Sequence, residues 1–510
     1  MALANGASAQ TSDPLLNTLI KKGILTEDEA KNIKAEASAA ETNNLPVVPS
    51  KWKISDPIKS VELFGDIRMR YEYRSAQAPN NDRVSLERFR YALRFGLRGD
   101  LSDQFYYGFR LDTASNPRSP WVTFGTSSTT TPYQGPFGKS TAGINVGQIY
   151  LGWHPEKWVD ITIGKMPMPL YTTPMVWDND LNPEGAAERF KYTVGGADLF
   201  ATFGQFLYYD TNPNQTTGTF FPPLPVNTEA SQPFLLAWQI GAVYHFDQDI
   251  SLKVAPVLYN YTGGGSDSSK NLDGGNSGTP GFADDYVGEG ANYPANAIGS
   301  GSYVGYSGYP GGQFGGFTSD QTGINDLLIL ELPAEFNFKI ANLSARVFGD
   351  FAENLDGSAR AATAASTIHT FDNNGTIGLQ GVNPIPVHGN QNKAYQVGFA
   401  IGSKDSLGLV YGTTSKKNAW EARAYWQHVE QYALDPNLLD SDFFEGRANL
   451  QGIYSAFAYG FSDNIIGTVR LGYADRIDKS LGTGGSNQDI PQVNPINRYE
   501  ILQMDLTCRF

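Results

Sequence analysis

The sequence predicts an all-β fold, a transmembrane antiparallel β-barrel of about 16 strands with a small N-terminal helical hairpin. Three observations carry this: long runs of period-two alternation, connections that alternate between short and long, and a last strand whose apolar file ends in phase on Phe510. The stretch from Val61 to Leu101 shows the first. Val61, Leu63, Ile67, Met69, Tyr71 and Tyr73 fall on one face, and Glu62, Asp66, Arg68, Arg70, Glu72 and Arg74 on the other. After a polar break at Asn80-Asn81-Asp82, Phe89, Tyr91, Leu93, Phe95 and Leu97 oppose Arg88, Arg90, Arg94 and Arg98. A period of two means strand. These runs are long for a soluble strand but suit a tilted strand crossing a bilayer. Arginines at this density cannot sit in a dry apolar core. The apolar file therefore faces lipid and the arginine file a polar lumen. In this register Leu93 meets lipid, and Ala92 points into water.

The alternation continues through 105–112, 148–153, 158–164, 188–193, 197–209, 236–246, 252–258, 328–338, 343–351, 395–401, 420–428, 453–461, 465–473 and 502–510. Short connections fall near Ser102, Pro155, Gly195, Gln248, Asn342 and Ser462. Long ones span 114–145, 210–232, 262–325, 354–392, 430–448 and 475–497. Short turns on one side and long loops on the other is the layout of outer-membrane barrels, and termini on the short-turn side require an even strand number. The connection 404–418 is longer than its siblings. Pro256 and Pro333 sit inside proposed strands where a closed barrel has no edge to accommodate them, so bulges or displaced strand ends are expected there. Residues 262–317, rich in Gly, Ser, Asp and Tyr, read either as disordered or as a cover over the barrel mouth.

The chain has 510 residues and a net charge of -14. An acidic balance argues against non-specific nucleic-acid binding. Cys508, the lone cysteine, cannot form an internal disulfide and serves as a small apolar group. No apolar run is long enough for a transmembrane helix, which leaves half-polar spanning strands untouched. Ala7-Ser8-Ala9 has the form of a cleavage site, so residues 1–11 read as a signal-peptide remnant or a flexible end. Over 12–38, Leu15, Leu16, Leu19 and Ile20 have helical spacing, Gly23 marks a stop, and Thr26-Glu27-Asp28-Glu29 is a capping box. This predicts a periplasmic helical hairpin that packs on itself or a neighbour. A polar, Pro-containing linker covers 39–58, and the barrel 59–510. The alternative to a membrane barrel is a secreted all-β protein.

The file Leu502, Met504, Leu506, Cys508, Phe510 resembles the final strand of bacterial outer-membrane porins, where a terminal Phe is read by the barrel-assembly machinery. A wider resemblance rests on three pieces. They are the helical segment with Lys21-Lys22-Gly23-Ile24-Leu25-Thr26-Glu27-Asp28-Glu29-Ala30, the opening strand Leu63-Phe64-Gly65-Asp66-Ile67-Arg68, and the run Trp177-Asp178-Asn179-Asp180-Leu181-Asn182-Pro183-Glu184-Gly185. With these the chain is similar to the Putative porin family of Gram-negative bacteria. That resemblance implies an outer-membrane location, passive diffusion of small hydrophilic solutes or ions, contact with outer-membrane lipid, and a homotrimer. It implies no cofactor.

The Trp177 run lies between the fifth and sixth strands. In porins that this chain resembles, this third loop folds into the lumen and narrows it. Asp178, Asp180 and Glu184 would then project acid into the pore, opposite the wall arginines Arg68, Arg70, Arg88, Arg90, Arg94, Arg98 and Arg110, with Lys165. Acid facing base across little water makes a strong transverse field. A mild anion preference is expected, carried chiefly by Arg88, Arg90, Arg94 and Arg98. The plainer readings are a loop lying on the surface, and arginines that brace the wall through Glu62, Asp66 and Glu72; bracing and selectivity can coexist. Enzymatic readings are weak. His154, His245, His369, His388 and His428 are scattered without metal-ligand spacing. Gly138-Lys139-Ser140 fails as a phosphate loop because Tyr133 stands where the leading Gly belongs, and Asp267 and Asp273 lack calcium-loop spacing. The competing functional class is a surface-structural or adhesion barrel with an occluded lumen.

Overall fold

A computed structural model describes residue 22 and residues 55–510, apart from 115–118, 126–142, 209–233, 263–326, 367–387, 436, 480, 484–488, 491–492 and 494; within these gaps only the two-residue strand pairs at 286–287 with 322–323 and 370–371 with 377–378 are described. The expected helical hairpin and most of the Gly-Tyr-rich loop 262–325 lie outside the described residues.

Sixteen antiparallel strands close into a barrel. They are β1 (Glu62–Gln77), β2 (Arg83–Asp100), β3 (Phe105–Ala114), β4 (Gly143–Glu156), β5 (Val159–Lys165), β6 (Glu184–Val194), β7 (Ala197–Leu207) and β8 (Phe234–His245). Then come β9 (Ser251–Val254 and Val257–Thr262), β10 (Leu328–Glu331 and Ala334–Ile340), β11 (Leu343–Asn354) and β12 (Lys393–Ser403). The last four are β13 (Trp420–Val429), β14 (Leu450–Gly460), β15 (Ile465–Arg476) and β16 (Arg498–Arg509). Each strand pairs with the next, and β1 pairs with both β2 and β16, so no edge is left unpaired. A helix, α1 (Gly357–Ser366), and a short strand at Val122–Thr123 beside β2 decorate the long-loop side.

Period-two alternation sorts the faces as read from the sequence. Leu63, Ile67, Met69, Phe89, Leu93 and Phe95 are exposed on the outside, while Arg70, Glu72, Arg74, Arg90 and Arg94 are buried inside. At the short-turn rim Trp153, Trp158, Tyr192, Tyr244, Phe246 and Phe461 are exposed outward, as in the aromatic girdle of a membrane barrel. One expectation is corrected: Ala92 does face inward, but it is only 1% exposed. The lumen beside it is packed with side chains rather than filled with open water.

The prolines break the strands without shifting them. β9 is interrupted at Ala255-Pro256 and β10 at Leu332-Pro333, yet pairing resumes in the same register on both sides of each break. The Ala255 N–H donates to Pro333 O at 3.1 Å and the Ile240 N–H to Pro256 O at 3.1 Å. Each proline lacks an N–H but keeps its carbonyl in the ladder. Register shifts occur elsewhere, in the β3–β4 pair at Arg110/Leu111 and in the β4–β5 pair at Trp153/Glu156.

Candidate functional site

The β1–β2 register sets the charge pattern of the wall. Glu62 lies opposite Arg98, Asp66 opposite Arg94 and Glu72 opposite Arg88. Arg70, however, lies opposite Arg90, a like-charge pair that needs acid from elsewhere. On its other side Arg70 meets β16, where its Nε donates to Asp505 at 2.7 Å. Asp505 also accepts from Arg470 on β15. The long loop 430–449 between β13 and β14 reaches down to supply Asp442, 2.8 Å from Arg70 and 3.4 Å from Arg74. The loop 477–497 supplies Asp489, 2.6 Å from Arg88 and 3.3 Å from Arg74. Glu72, fully buried, is the hub. It lies 3.0 Å from Arg74, 2.5 Å from Arg88, and 3.6 Å from each of Arg70 and Arg90, and Gln503 donates to it at 2.8 Å. Trp121 stacks beneath Arg70 at 4.0 Å.

The loop between β5 and β6, residues 166–183, crosses the lumen. One end is latched to strands β8–β11. Gln239 grips the backbone of Tyr171 at 2.8 and 2.7 Å, the Tyr171 hydroxyl donates to Glu335, Thr172 to Glu331 and Thr173 to Asp350. At the other end Asp180 lies 3.0 Å from Arg94, and Asp178 accepts from the backbone and hydroxyl of Ser441 at 3.0 and 2.9 Å. Burial, and then the neighbouring Asp180, push the Asp178 carboxyl up to about 7. Burial likewise holds Asp440 well above its ordinary range, aided by Asp442 and Asp178. Burial would raise Asp442 too, but Arg70 and Arg74 pull it below the usual carboxylate range.

A cavity of about 500 Å³ lies in this lumen. Arg68, Arg70 and Arg94 line it from the first two strands, and Arg346, Arg423 and Arg470 from later ones. Asp178, Asp180, Glu335, Asp440 and Asp442 are its carboxyl groups. The structure thus brings Asp180 into direct contact with the arginine wall at Arg94, while Asp178 is buried beside it and turned to Ser441 and the Asp180 N–H. Arg88 and Arg90 sit behind the cavity, tied to Glu72 and Asp489. Arg98 pairs with Glu62 at 2.6 Å at the exposed rim, and Arg110 pairs with Asp112 at 2.7 Å. Glu184 stands at the loop's foot, exposed and 2.5 Å from Lys165, away from the cavity. Phe510 lies on the outer face, its backbone bonded both ways to Gly65 at 2.9 and 3.1 Å.

The arginine wall, inward loop and closed barrel stand beside a sequence-family match over residues 76–510, to the family described as Putative porin. The chain belongs to that family. It is an outer-membrane porin of the Gram-negative type, a channel protein and not an enzyme. No curated protein matches the porin's sequence. Among solved structures it is similar to the anion-selective porin from Comamonas acidovorans, at 10% identity and a TM-score of 0.39, over 88% of this chain and 99% of that one. It is also similar to the outer-membrane protein OmpT of Vibrio cholerae, at 10% identity and 0.39, over 89% and 100%. A third likeness is to the outer-membrane channel DcaP of Acinetobacter baumannii, at 12% identity and 0.36, over 88% and 97%. None of these likenesses bears on what the porin conducts.

Sequence reasoning missed Asp442, Asp489 and Trp121, which lie on loops without periodicity. It also missed Arg346, Arg423 and Arg470, each an inward position of an alternating strand. For these arginines the signal was present in the same period of two that marked the first hairpin.

Proposed function

We propose that the porin passes small hydrophilic solutes with a mild anion preference. The observation that carries this is the charge balance around the lumen. Arg70, Arg74, Arg88, Arg90 and Arg470 are five guanidinium groups gathered on four carboxylates, Glu72, Asp442, Asp489 and Asp505. Of the five acids on the cavity surface, Asp178 and Asp440 are biased toward their neutral forms by burial. The chain's net charge of -14 sits largely elsewhere, where salt screens it within about 8 Å. A low-water constriction screens far less. The larger basic surface runs through β15, β16, β1 and β2, and the acids Glu331, Glu335 and Asp350 lie on β10 and β11, on the opposite half of the barrel, where Arg346 offsets only Glu335, at 3.2 Å. That separation supports a transverse field, with Arg68, Arg70, Arg94 and Arg470 as its cavity-facing members in place of Arg88, Arg90 and Arg98.

Reversal potentials across a salt gradient in planar bilayers test this. Arg68→Gln with Arg94→Gln should shift selectivity toward cations, and Asp180→Asn should shift it toward anions. An arginine pair without effect would make these residues wall braces only. The competing reading, a structural barrel with an occluded lumen, draws on the loops packed inside; a purified protein that leaves bilayers sealed would establish it. Family membership further supports recognition of Phe510 by the barrel-assembly machinery, a homotrimer, and a periplasmic role for the segment ahead of the barrel. Crosslinking in membranes tests the trimer.

A further inference from the structure

The connection between β12 and β13, residues 404–419, is on the short-turn side, where its neighbours span only a few residues, such as the turns at 195–196 and 341–342. Its length is used inside the barrel. Leu409 and Val410 are 1% exposed, which removes two apolar side chains from water. Leu407, Gly408, Tyr411 and Thr413 line the same lumen cavity as the inward loop 166–183. The segment is held rigidly. The N–H groups of Gly408 and Val410 donate to the fully buried Glu421 at 2.8 and 3.0 Å. The Ser406 hydroxyl donates to Ser403 O or Trp420 O, each at 2.7 Å. Gly408 and Gly412 adopt φ of 107° and 67°, conformations that other residues rarely take. Three wall arginines close on it. Arg470 donates to Val410 O at 3.1 Å, Arg509 donates to Gly412 O, and the Arg423 guanidinium lies over the Tyr411 ring at 4.4 Å.

We infer that residues 404–419 form a second constriction of the channel, in which Tyr411, flanked by Arg423 and Arg470, contacts anions passing between the cavity and the short-turn mouth. The inference rests on the porin reading and adds a selectivity element on the side opposite the long loops. A turn that only capped the barrel end would leave its apolar residues at the rim. This one places a ring and two backbone carbonyls among three guanidinium groups inside the lumen, where charge and cross-section both act on a permeating ion.

The test uses Tyr411→Cys in a Cys508→Ser background, purified as the full chain and inserted in planar bilayers. A sulfonate-bearing methanethiosulfonate added on the short-turn side should lower conductance stepwise and move the reversal potential toward cations. A trimethylammonium-bearing reagent should move it toward anions. Cys508→Ser alone should not respond. Labelling confirmed by mass with both quantities unchanged would overturn the inference. Independently, replacing 407–414 with a two-residue Asn-Gly turn should raise conductance by about twofold or more in protein that still shows heat-modifiable folding. A folded variant with the parent's conductance would also overturn it. Absence of any channel from the parent protein would overturn instead the porin reading.

Discussion

Glu72→Gln should be the most damaging conservative change in the lumen. The substitution keeps the shape of the side chain and removes one negative charge from a group with no exposure. Around it, five guanidinium groups would then share three carboxylates, doubling the excess of positive charge from one to two. Removing one partner from a buried ion pair typically costs about 3–5 kcal/mol, because the remaining charge stays desolvated. Arg70 and Arg74 keep Asp442 and Arg88 keeps Asp489, so the expected loss is the lower figure, about 3 kcal/mol, or roughly a hundredfold in the folding equilibrium. Urea titration of the heat-modifiable band in lipid reads this directly. Arg90 has the loosest ties in the cluster, at 3.6 and 3.9 Å, and its Nε has no hydrogen-bond partner. Glu72→Gln with Arg90→Gln restores an excess of one and should recover much of the lost stability. Glu72→Gln alone as stable as the parent, or a double variant weaker than the single, would refute the charge-balance argument.

Leu93→Arg should cost about 2–4 kcal/mol by placing a cation against lipid, and Ala92→Arg about 1–3 kcal/mol by overpacking a filled lumen; Ala92→Ser should fold normally, and heat-modifiability compares all three. Asp178 holds its proton more tightly folded than unfolded, so its contribution is full below the unfolded value near pH 4 and is lost as pH rises through about 7. Anion preference should therefore be greater at about pH 5.5 than at about pH 8, and Asp178→Asn should flatten that dependence in reversal-potential measurements. Deleting Phe510 removes a ring that covers Gly65 and two backbone hydrogen bonds to it; outer-membrane levels of assembled protein should fall, and unchanged levels would dismiss the residue as an assembly signal.

The barrel and its strand faces were legible because they are local; the inward third loop was expected only from the resemblance to porins. A period of two assigns each residue to lipid or lumen without reference to any partner, and short turns against long loops give strand parity. The same local code marked Arg68 to Arg98 as lumenal and offered Glu62, Asp66 and Glu72 as their partners, which they meet, but not the acids that reach them from distant elements. Arg70 finds Asp505 and Arg74 finds Asp442, each hundreds of residues away. No spacing rule connects a strand arginine to an acid on an aperiodic loop, so Ala92 read as facing water when folding packs the lumen beside it. Glu184 and Asp180 look equivalent in the run from Trp177, yet one stands at the loop's foot with Lys165 and the other reaches Arg94. The in-turned segment 404–419 was visible only as unusual length. Its inward path depends on Glu421, Arg470 and Arg509 meeting its backbone. Composition and periodicity therefore determined the architecture and which strand side chains face the pore. Tertiary packing alone decided which of those charges are spent on one another and which remain on the cavity surface.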